Sequence, residues 1–117
     1  MNMQEVLNGL TLSQIKELSS LAGSVTTPVD GPMSELLGMA VFIRTVTYHY
    51  TGRIVRVTPL AVTLEKASWI ADSGRFSEAM NSGEFSEVEP YPNEVTIMIG
   101  SIVDYTKWPH PLPLKVK

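Results

Sequence analysis

The chain has 117 residues, of which 44% are hydrophobic and 18% are charged, and its net charge is −3. This length predicts one domain with a modest core, and the low charged fraction favours an oligomer that covers some apolar surface. The acidic net charge argues against nonspecific binding to nucleic acid, and the absence of cysteine excludes disulfides and thiolate metal sites.

Residues 1–32 are predicted to form a helix followed by a linker. Thr11 can cap the helix, and Gln14 lies three residues later, where its side chain can bond back to the cap. Gly23 ends an apolar stripe formed by Leu12, Ile15 and Leu18. Residues 1–10 do not resemble a signal peptide, and no segment approaches the roughly 18 apolar residues of a membrane-spanning helix. We therefore predict a cytoplasmic protein with no membrane partner.

Residues 33–106 are predicted to form a small, strongly bent five-stranded barrel. A one-turn helix leads into a long β-rich run, residues 39–57, with the sequence MAVFIRTVTYHYTGRIVRV. The hydrophobic alternation changes phase along this run, which indicates a tight turn near residues 45–47 and a bend at Gly52. A short strand, AVTLE, follows a turn that contains proline.

An insertion, residues 68–92, is predicted between the third and fourth strands. It contains a short helix within residues 73–82, which Gly83 ends. After the insertion, residues 95–105 alternate as a closing strand pair that breaks at Gly100. The predicted fold is therefore mainly β, with a helical insertion late in the barrel.

The C-terminal tail, residues 107–117, is rich in proline and is predicted to be an extended arm or disordered. Trp108 stands beside a proline at the start of this tail. We expect its indole to anchor the tail either on its own barrel or on a neighbouring subunit. In both cases the indole contributes packing rather than chemistry.

Charge is unevenly distributed along the predicted barrel. Residues 36–64 contain Arg44, Arg53 and Arg56 and no acid, whereas residues 77–94 contain five glutamates and no lysine or arginine. These segments are either two separate solvated patches or two halves of an interface. In the second case the acidic segment of one subunit meets the basic strands of the next, head to tail, as in a ring.

The order of these elements resembles the Sm and Sm-like family, whose small SH3-like barrels assemble into rings. The resemblance covers residues 33–106, and Gly52 with Ile54 resembles the glycine of the family's first motif. Residues 64–67 (LEKA) resemble the end of the third strand, and residues 97–102 (IMIGSI) resemble the second motif. The run GMAVFIRTVTYHYTGRIV is similar to small Sm-like proteins of phages and bacterial genomes.

The chain departs from the family at the positions that bind RNA. RNA-binding members carry an acid and an asparagine in the turn before the third strand, and an arginine before the second-motif glycine. Here that turn, residues 58–61, reads TPLA, and Ile99 precedes Gly100. The resemblance therefore implies a ring but not the usual uridine site.

Tyr48, His49 and Tyr50 form the densest cluster of polar aromatic residues, and Arg53 and Arg56 follow closely. As a ligand site, the rings would stack on a base or nucleotide while the arginines neutralise phosphate. As structural residues, two tyrosines on one face of a strand would pack against the core or a neighbour. Both interpretations stay open.

Further residues are predicted to lie at an interface between subunits, namely Arg44, Trp69, Glu87, Glu89 and Trp108. Trp69 is the second residue of the insertion, residues 68–92. Long insertions in compact domains tend to be functional, so this segment either covers one end of the barrel as a lid or contacts a ligand or a neighbour.

The residue patterns of catalysis and metal binding are missing from the sequence. His49 and His110 are the only histidines, and neither has the spacing to convergent carboxylates that a metal site or a catalytic triad requires. Glycine-rich phosphate loops and nucleophile elbows are also absent. We therefore predict that the protein is not an enzyme and uses no cofactor and no metal.

The sequence favours a noncatalytic, ring-forming Sm-like assembly or scaffold protein, and the resemblance suggests a phage or prophage source. Its partner would be itself, in a homo-oligomeric ring of about five to seven subunits. The alternative is an RNA-binding or nucleotide-binding Sm-like ring, with a ligand site formed by Tyr48, His49, Tyr50, Arg53 and Arg56.

Overall fold

A computed structural model of the chain describes residues 31–117 and two short strands nearer the N-terminus. These strands, β1 (Met3–Gln4) and β2 (Val6–Leu7), pair with each other in parallel. The predicted N-terminal helix and nearly all of the predicted linker lie outside the described residues. Within the described part of the chain, no helix is both long enough and apolar enough to span a membrane.

Six strands form one antiparallel sheet: β3 (Ala40–Thr45), β4 (His49–Val57), β5 (Ala61–Asp72), β6 (Glu87–Pro90), β7 (Val95–Met98) and β8 (Ile102–Lys107). The order is β6-β5-β4-β3-β8, and β7 pairs with the first part of β5. The connections contain one α-helix, α1 (Phe76–Ser82), and two 3₁₀ turns, Ser34–Leu36 and Ile99–Ser101. The prediction of a mainly β domain is confirmed.

The sheet is not closed, so the predicted Sm-like barrel is not reproduced as a closed barrel. Among the described residues β7 pairs only with β5 and β8 pairs only with β3. The large sheet also has one strand more than the five predicted, because β5 continues to Asp72 and β6 forms within residues 68–92, the predicted insertion. The helix predicted in that insertion is present, and Gly83 ends it with a left-handed φ of 79°.

The long strand β5 bends in its middle, where Lys66 has a φ of 51°. Its first part pairs with β7 and its second part with β6. The register of β4 against β5 shifts between Thr51 and Arg53, so Gly52 lies at the bend, as predicted. A Cβ atom on Gly52 would lie 2.9 Å from the Cβ of Leu64, and only glycine therefore lets the two strands approach this closely.

Each face of the sheet carries a buried cluster of side chains. We call the face of β3 that carries Val41 and Ile43 the inner face, and the face that carries Phe42 the outer face. The inner face packs around Ile54, Val62 and Leu64 with other aliphatic side chains. The outer face is covered by α1 and the tail, in a second cluster of Phe42, Ile70, Ala79, Phe85, Val88 and Trp108.

The C-terminal tail is an extended arm that packs on its own chain. Trp108 is 5% exposed, and its ring stacks on Phe85 at a centroid distance of 5.1 Å. At the far end of the tail, Val88 and Lys117 exchange two main-chain hydrogen bonds of 3.0 Å. Of the two positions predicted for the indole of Trp108, the structure has the one on its own chain.

Candidate functional site

The register of five strands places aromatic side chains in one row across the sheet. Tyr105 of β8 lies opposite Ile43, Ile43 lies opposite Tyr50, Tyr50 lies opposite Trp69, and Trp69 lies opposite Glu89 of β6. Residues directly opposite each other on neighbouring strands point to the same face. The five side chains therefore share the inner face, and we call them the aromatic row.

Two further tyrosines extend the aromatic row into a pocket. The ring of Tyr48 meets that of Trp69 edge to face, at 5.4 Å and 87°, and the ring of Tyr91 stacks on that of Tyr50 at 6.2 Å. Tyr48, Trp69 and Tyr91 line a depression of about 240 Å³, which we call the aromatic pocket. Tyr48 is 47% exposed and Tyr91 is 37% exposed, so the pocket is open to solvent.

The main chain holds both tyrosines of the pocket in place. Thr45 and Tyr48 close a tight turn, in which the amide of Thr45 donates to the carbonyl of Tyr48 at 2.7 Å and the amide of Tyr48 donates to Oγ1 of Thr45 at 2.9 Å. Tyr91 lies between two prolines, and its amide donates to the carbonyl of Ala67 at 2.8 Å. The pocket is therefore rigid where its rings attach.

Tyr50 lies between the aromatic pocket and the inner core, and its side chain is a neutral phenol. Burial raises the pKa of Tyr50 above its ordinary value, and the neighbouring Tyr91 raises it further. Because the phenol stays protonated at neutral pH, it can pack against the aliphatic inner core. Glu89, exposed at the end of the aromatic row, is the only charged residue of the row.

His49 is not part of the aromatic pocket, although it lies between two of the predicted ligand residues in the sequence. Successive side chains of a strand point to opposite faces, so the imidazole lies on the outer face. There it contacts the ring of Phe42 edge to face at 5.7 Å. Burial lowers the pKa of His49, and the positive charge of Arg44 lowers it further.

Arg53 and Arg56 also lie away from the aromatic pocket. They follow Tyr50 by three and six residues on the same strand, which corresponds to about 10 and 20 Å of extended chain. Both guanidinium groups face acids of the same chain, Arg53 with Glu65 at 3.7 Å and Arg56 with Glu94 at 3.0 Å. The structure therefore brings Tyr48 and Tyr50 together and places Arg53 and Arg56 farther along the strand. His49 lies outside the aromatic pocket but lines a neighbouring depression of about 330 Å³ together with Tyr48 and Trp69.

The residues predicted for an interface are spread over the molecule. Arg44 donates to Asp104 through Nε at 2.8 Å and again through Nη2, and its guanidinium lies 5.3 Å above the ring of Phe76. This ion pair lowers the pKa of Asp104. Glu87 is exposed at the start of β6, whereas Trp108 is buried in its own chain. Trp69 and Glu89 belong to the aromatic row.

The sequence analysis did not identify Tyr105 as part of the aromatic row or Tyr91 as part of the aromatic pocket. It predicted Trp69 as an interface residue and not as a neighbour of the tyrosines. Trp69 and Tyr91 are 22 residues apart, and only the pairing of β5 with β6 brings them together. The rigid segment Pro90-Tyr91-Pro92 was the available signal. Within residues 31–117 no group of three or more metal-ligating side chains is present.

The edges of the open sheet formed by β7 and β8 carry main-chain groups that pair with no further strand among residues 31–117. Trp108 donates to the carbonyl of Ala40, directly opposite it, at 2.9 Å. Because hydrogen-bonded and non-hydrogen-bonded pairs alternate, the amides of Tyr105 and Lys107 point away from β3. By the same argument, the bond from Ile99 to Leu60 at 2.8 Å directs the amides of Thr96 and Met98 away from β5.

Comparison of the chain with protein-family models, with curated proteins and with solved structures finds no match. The Sm-like resemblance therefore rests on the sequence motifs and on the order of elements predicted from the sequence alone.

Proposed function

We propose that the protein is a noncatalytic assembly protein that forms a closed homo-oligomer by pairing β7 of one subunit with β8 of the next. The observation that carries this proposal is the open sheet, whose two free edges each direct main-chain amides outward. Residues of both edges are also apolar and exposed, since Met98 is 55% exposed and Val103 is 60% exposed.

Exposed apolar edges are unusual in a protein that works as a monomer. Natural sheets protect their edge strands with charges, proline or a covering element, because an unprotected edge pairs with other chains. In β7 no residue is charged and none is proline, whereas β8 carries Lys107 and Asp104, and Asp104 is paired with Arg44. Pairing with β8 of a second copy would satisfy the outward amides and cover Met98.

The geometry of this contact favours a closed ring over a dimer. The contact joins two different edges, so each subunit that binds through β7 still presents a free β8. Such a head-to-tail interface repeats until the rotation between subunits closes the ring. The expected size of about five to seven subunits comes from the Sm-like resemblance and forms part of the proposal.

Proline variants of the two edges test this proposal. Met98 has a φ of −73°, which proline adopts without strain, so Met98→Pro removes one outward amide and leaves the pairing with β5 intact. Tyr105→Pro blocks β8 in the same way. We expect each variant alone to be monomeric, and an equimolar mixture to form a heterodimer, because one variant retains β8 and the other retains β7.

Light scattering coupled to gel filtration measures the outcome. Met98→Ala and Tyr105→Ala are the matched controls, because they truncate the same side chains but keep the amides, and they should retain more of the oligomer. A dimer formed by Met98→Pro alone would indicate an interface between two like edges and would overturn the head-to-tail proposal.

The RNA-binding or nucleotide-binding alternative has less support. A phosphate site requires arginines beside the aromatic rings, whereas Arg53 and Arg56 lie along the strand from the pocket and face Glu65 and Glu94. The one charged residue in the aromatic row, Glu89, would repel a phosphate group.

A further inference from the structure

We propose that the aromatic pocket binds a quaternary ammonium group, with Tyr48, Trp69 and Tyr91 as its walls and Glu89 as its counter-charge. This site is separate from the edges of β7 and β8, so it does not depend on the proposed assembly. The faces of aromatic rings attract cations through the ring quadrupole, and cages of several rings select methylated ammonium groups.

The shape of the aromatic pocket fits a small cationic group. Tyr48 and Trp69 meet at 87°, so their rings form a corner with two aromatic walls, and Tyr91 adds a third. The volume of about 240 Å³ is below the roughly 300–1,000 Å³ of pockets for drug-sized ligands. The pocket therefore suits a side chain or a small head group rather than a large molecule.

The charge around the aromatic pocket also favours a cation. Glu89 lies directly opposite Trp69 in the register of β5 and β6, and it forms no ion pair with any residue of the described part of the chain. The aromatic row contains no lysine or arginine. Arg44 lies opposite His49 and is therefore on the outer face. The inner face thus offers π surfaces and a carboxylate, which complement a cation and disfavour an anion.

The main chain that carries Tyr48 and Tyr91 is preorganised before a ligand binds. The turn that Thr45 closes holds Tyr48, and the stacking on Tyr50 together with two flanking prolines holds Tyr91. The rings therefore lose little freedom when a ligand enters. A quaternary ammonium group could come from a free small molecule, such as choline, or from a trimethylated lysine in a peptide, and the experiment distinguishes these two sources.

The experiment follows the indole N–H signals of the full chain by two-dimensional NMR. The chain has only two tryptophans. The signal that disappears in the Trp69→Phe variant is assigned to Trp69, and the signal of buried Trp108 is the internal reference. Choline, a short trimethyl-lysine peptide and the same peptide unmethylated are titrated separately. The neutral carbon analogue of choline, 3,3-dimethyl-1-butanol, tests whether the charge is required.

We expect a saturable shift of the Trp69 signal with choline or with the trimethyl-lysine peptide, with a Kd on the order of 1 mM. The tighter ligand of the two identifies the source. The neutral analogue should bind at least several-fold more weakly. Tyr48→Ala should weaken binding roughly tenfold, within the range of a cation–π contact. Glu89→Gln should weaken it a few-fold and reduce its dependence on salt.

Glu87→Gln is the matched control, because it removes the same charge from the same strand outside the aromatic row, and it should leave the affinity nearly unchanged. Three results would overturn the proposal: no saturable shift with any cation, equal binding of the neutral analogue, or equal affinity in the Tyr48→Ala variant. The oligomeric state of Tyr48→Ala should match that of the unaltered chain, which separates this test from that of the assembly.

Discussion

At the scale of single residues, the alternation of a strand decides what each member of the Tyr48-His49-Tyr50 triplet does. Both tyrosines lie on the inner face, where Tyr48 lines the aromatic pocket and Tyr50 stacks on Tyr91, while the imidazole of His49 lies against Phe42 on the outer face. Partial burial and the charge of Arg44 both lower the pKa of His49, and the smaller effect of Asp104, which raises it, does not reverse this direction.

The lowered pKa of His49 predicts a pH dependence of stability. Below its ordinary pKa of 6.5 the unfolded chain binds a proton at His49 that the folded chain resists, so the free energy of unfolding falls as the pH drops. His49→Phe keeps an aromatic ring against Phe42 but cannot titrate. Between about pH 7.5 and about pH 5.5, the melting temperature of this variant should fall less than that of the unaltered chain. An equal fall in both proteins would contradict the prediction.

At the scale of elements, the bend of β5 organises the molecule. Because of this bend, the first part of β5 pairs with β7 and the second part pairs with β6. The aromatic row and the open β7 edge therefore lie on different parts of the sheet. The bend depends on the close approach of Gly52 to Leu64, for which the missing side chain is required.

Gly52 and Gly100 were both predicted to interrupt strands, but substitution by alanine should affect them differently. A Cβ on Gly52 would lie 2.9 Å from the Cβ of Leu64, whereas a Cβ on Gly100 would meet no atom within 4 Å. Gly52→Ala should destabilise the domain by about 1–3 kcal/mol, the usual effect of overpacking. Gly100→Ala should change the stability by less than about 0.5 kcal/mol. Urea denaturation of both variants measures the difference, and equal effects would refute it.

At the scale of the whole molecule, the elements that local sequence determines were predictable. The bend at Gly52, the helix that Gly83 ends and the alternation in β7 each depend on a few neighbouring residues. The second core was not predictable, because Phe42 on the outer face is covered by Phe85 and Trp108, which come much later in the chain.

The candidate site was only half predictable for the same reason. Tyr48 and Tyr50 were identified from their spacing on one strand, but Trp69 and Tyr91 join them through strand pairing that sequence alone does not specify. The strand β6 was hidden in the predicted insertion, because three of its four residues are glutamate or proline. Its place in the sheet comes from Val88, which pairs with Ile70 and with the end of the tail.

We propose that the open edges of β7 and β8 assemble copies of this chain into a closed ring. Native mass spectrometry of the unaltered protein, purified without nuclease, tests it most directly. We expect one closed oligomer, of about five to seven subunits, whose population does not grow into longer chains as the concentration rises. A protein that stays monomeric at micromolar concentrations would contradict the claim.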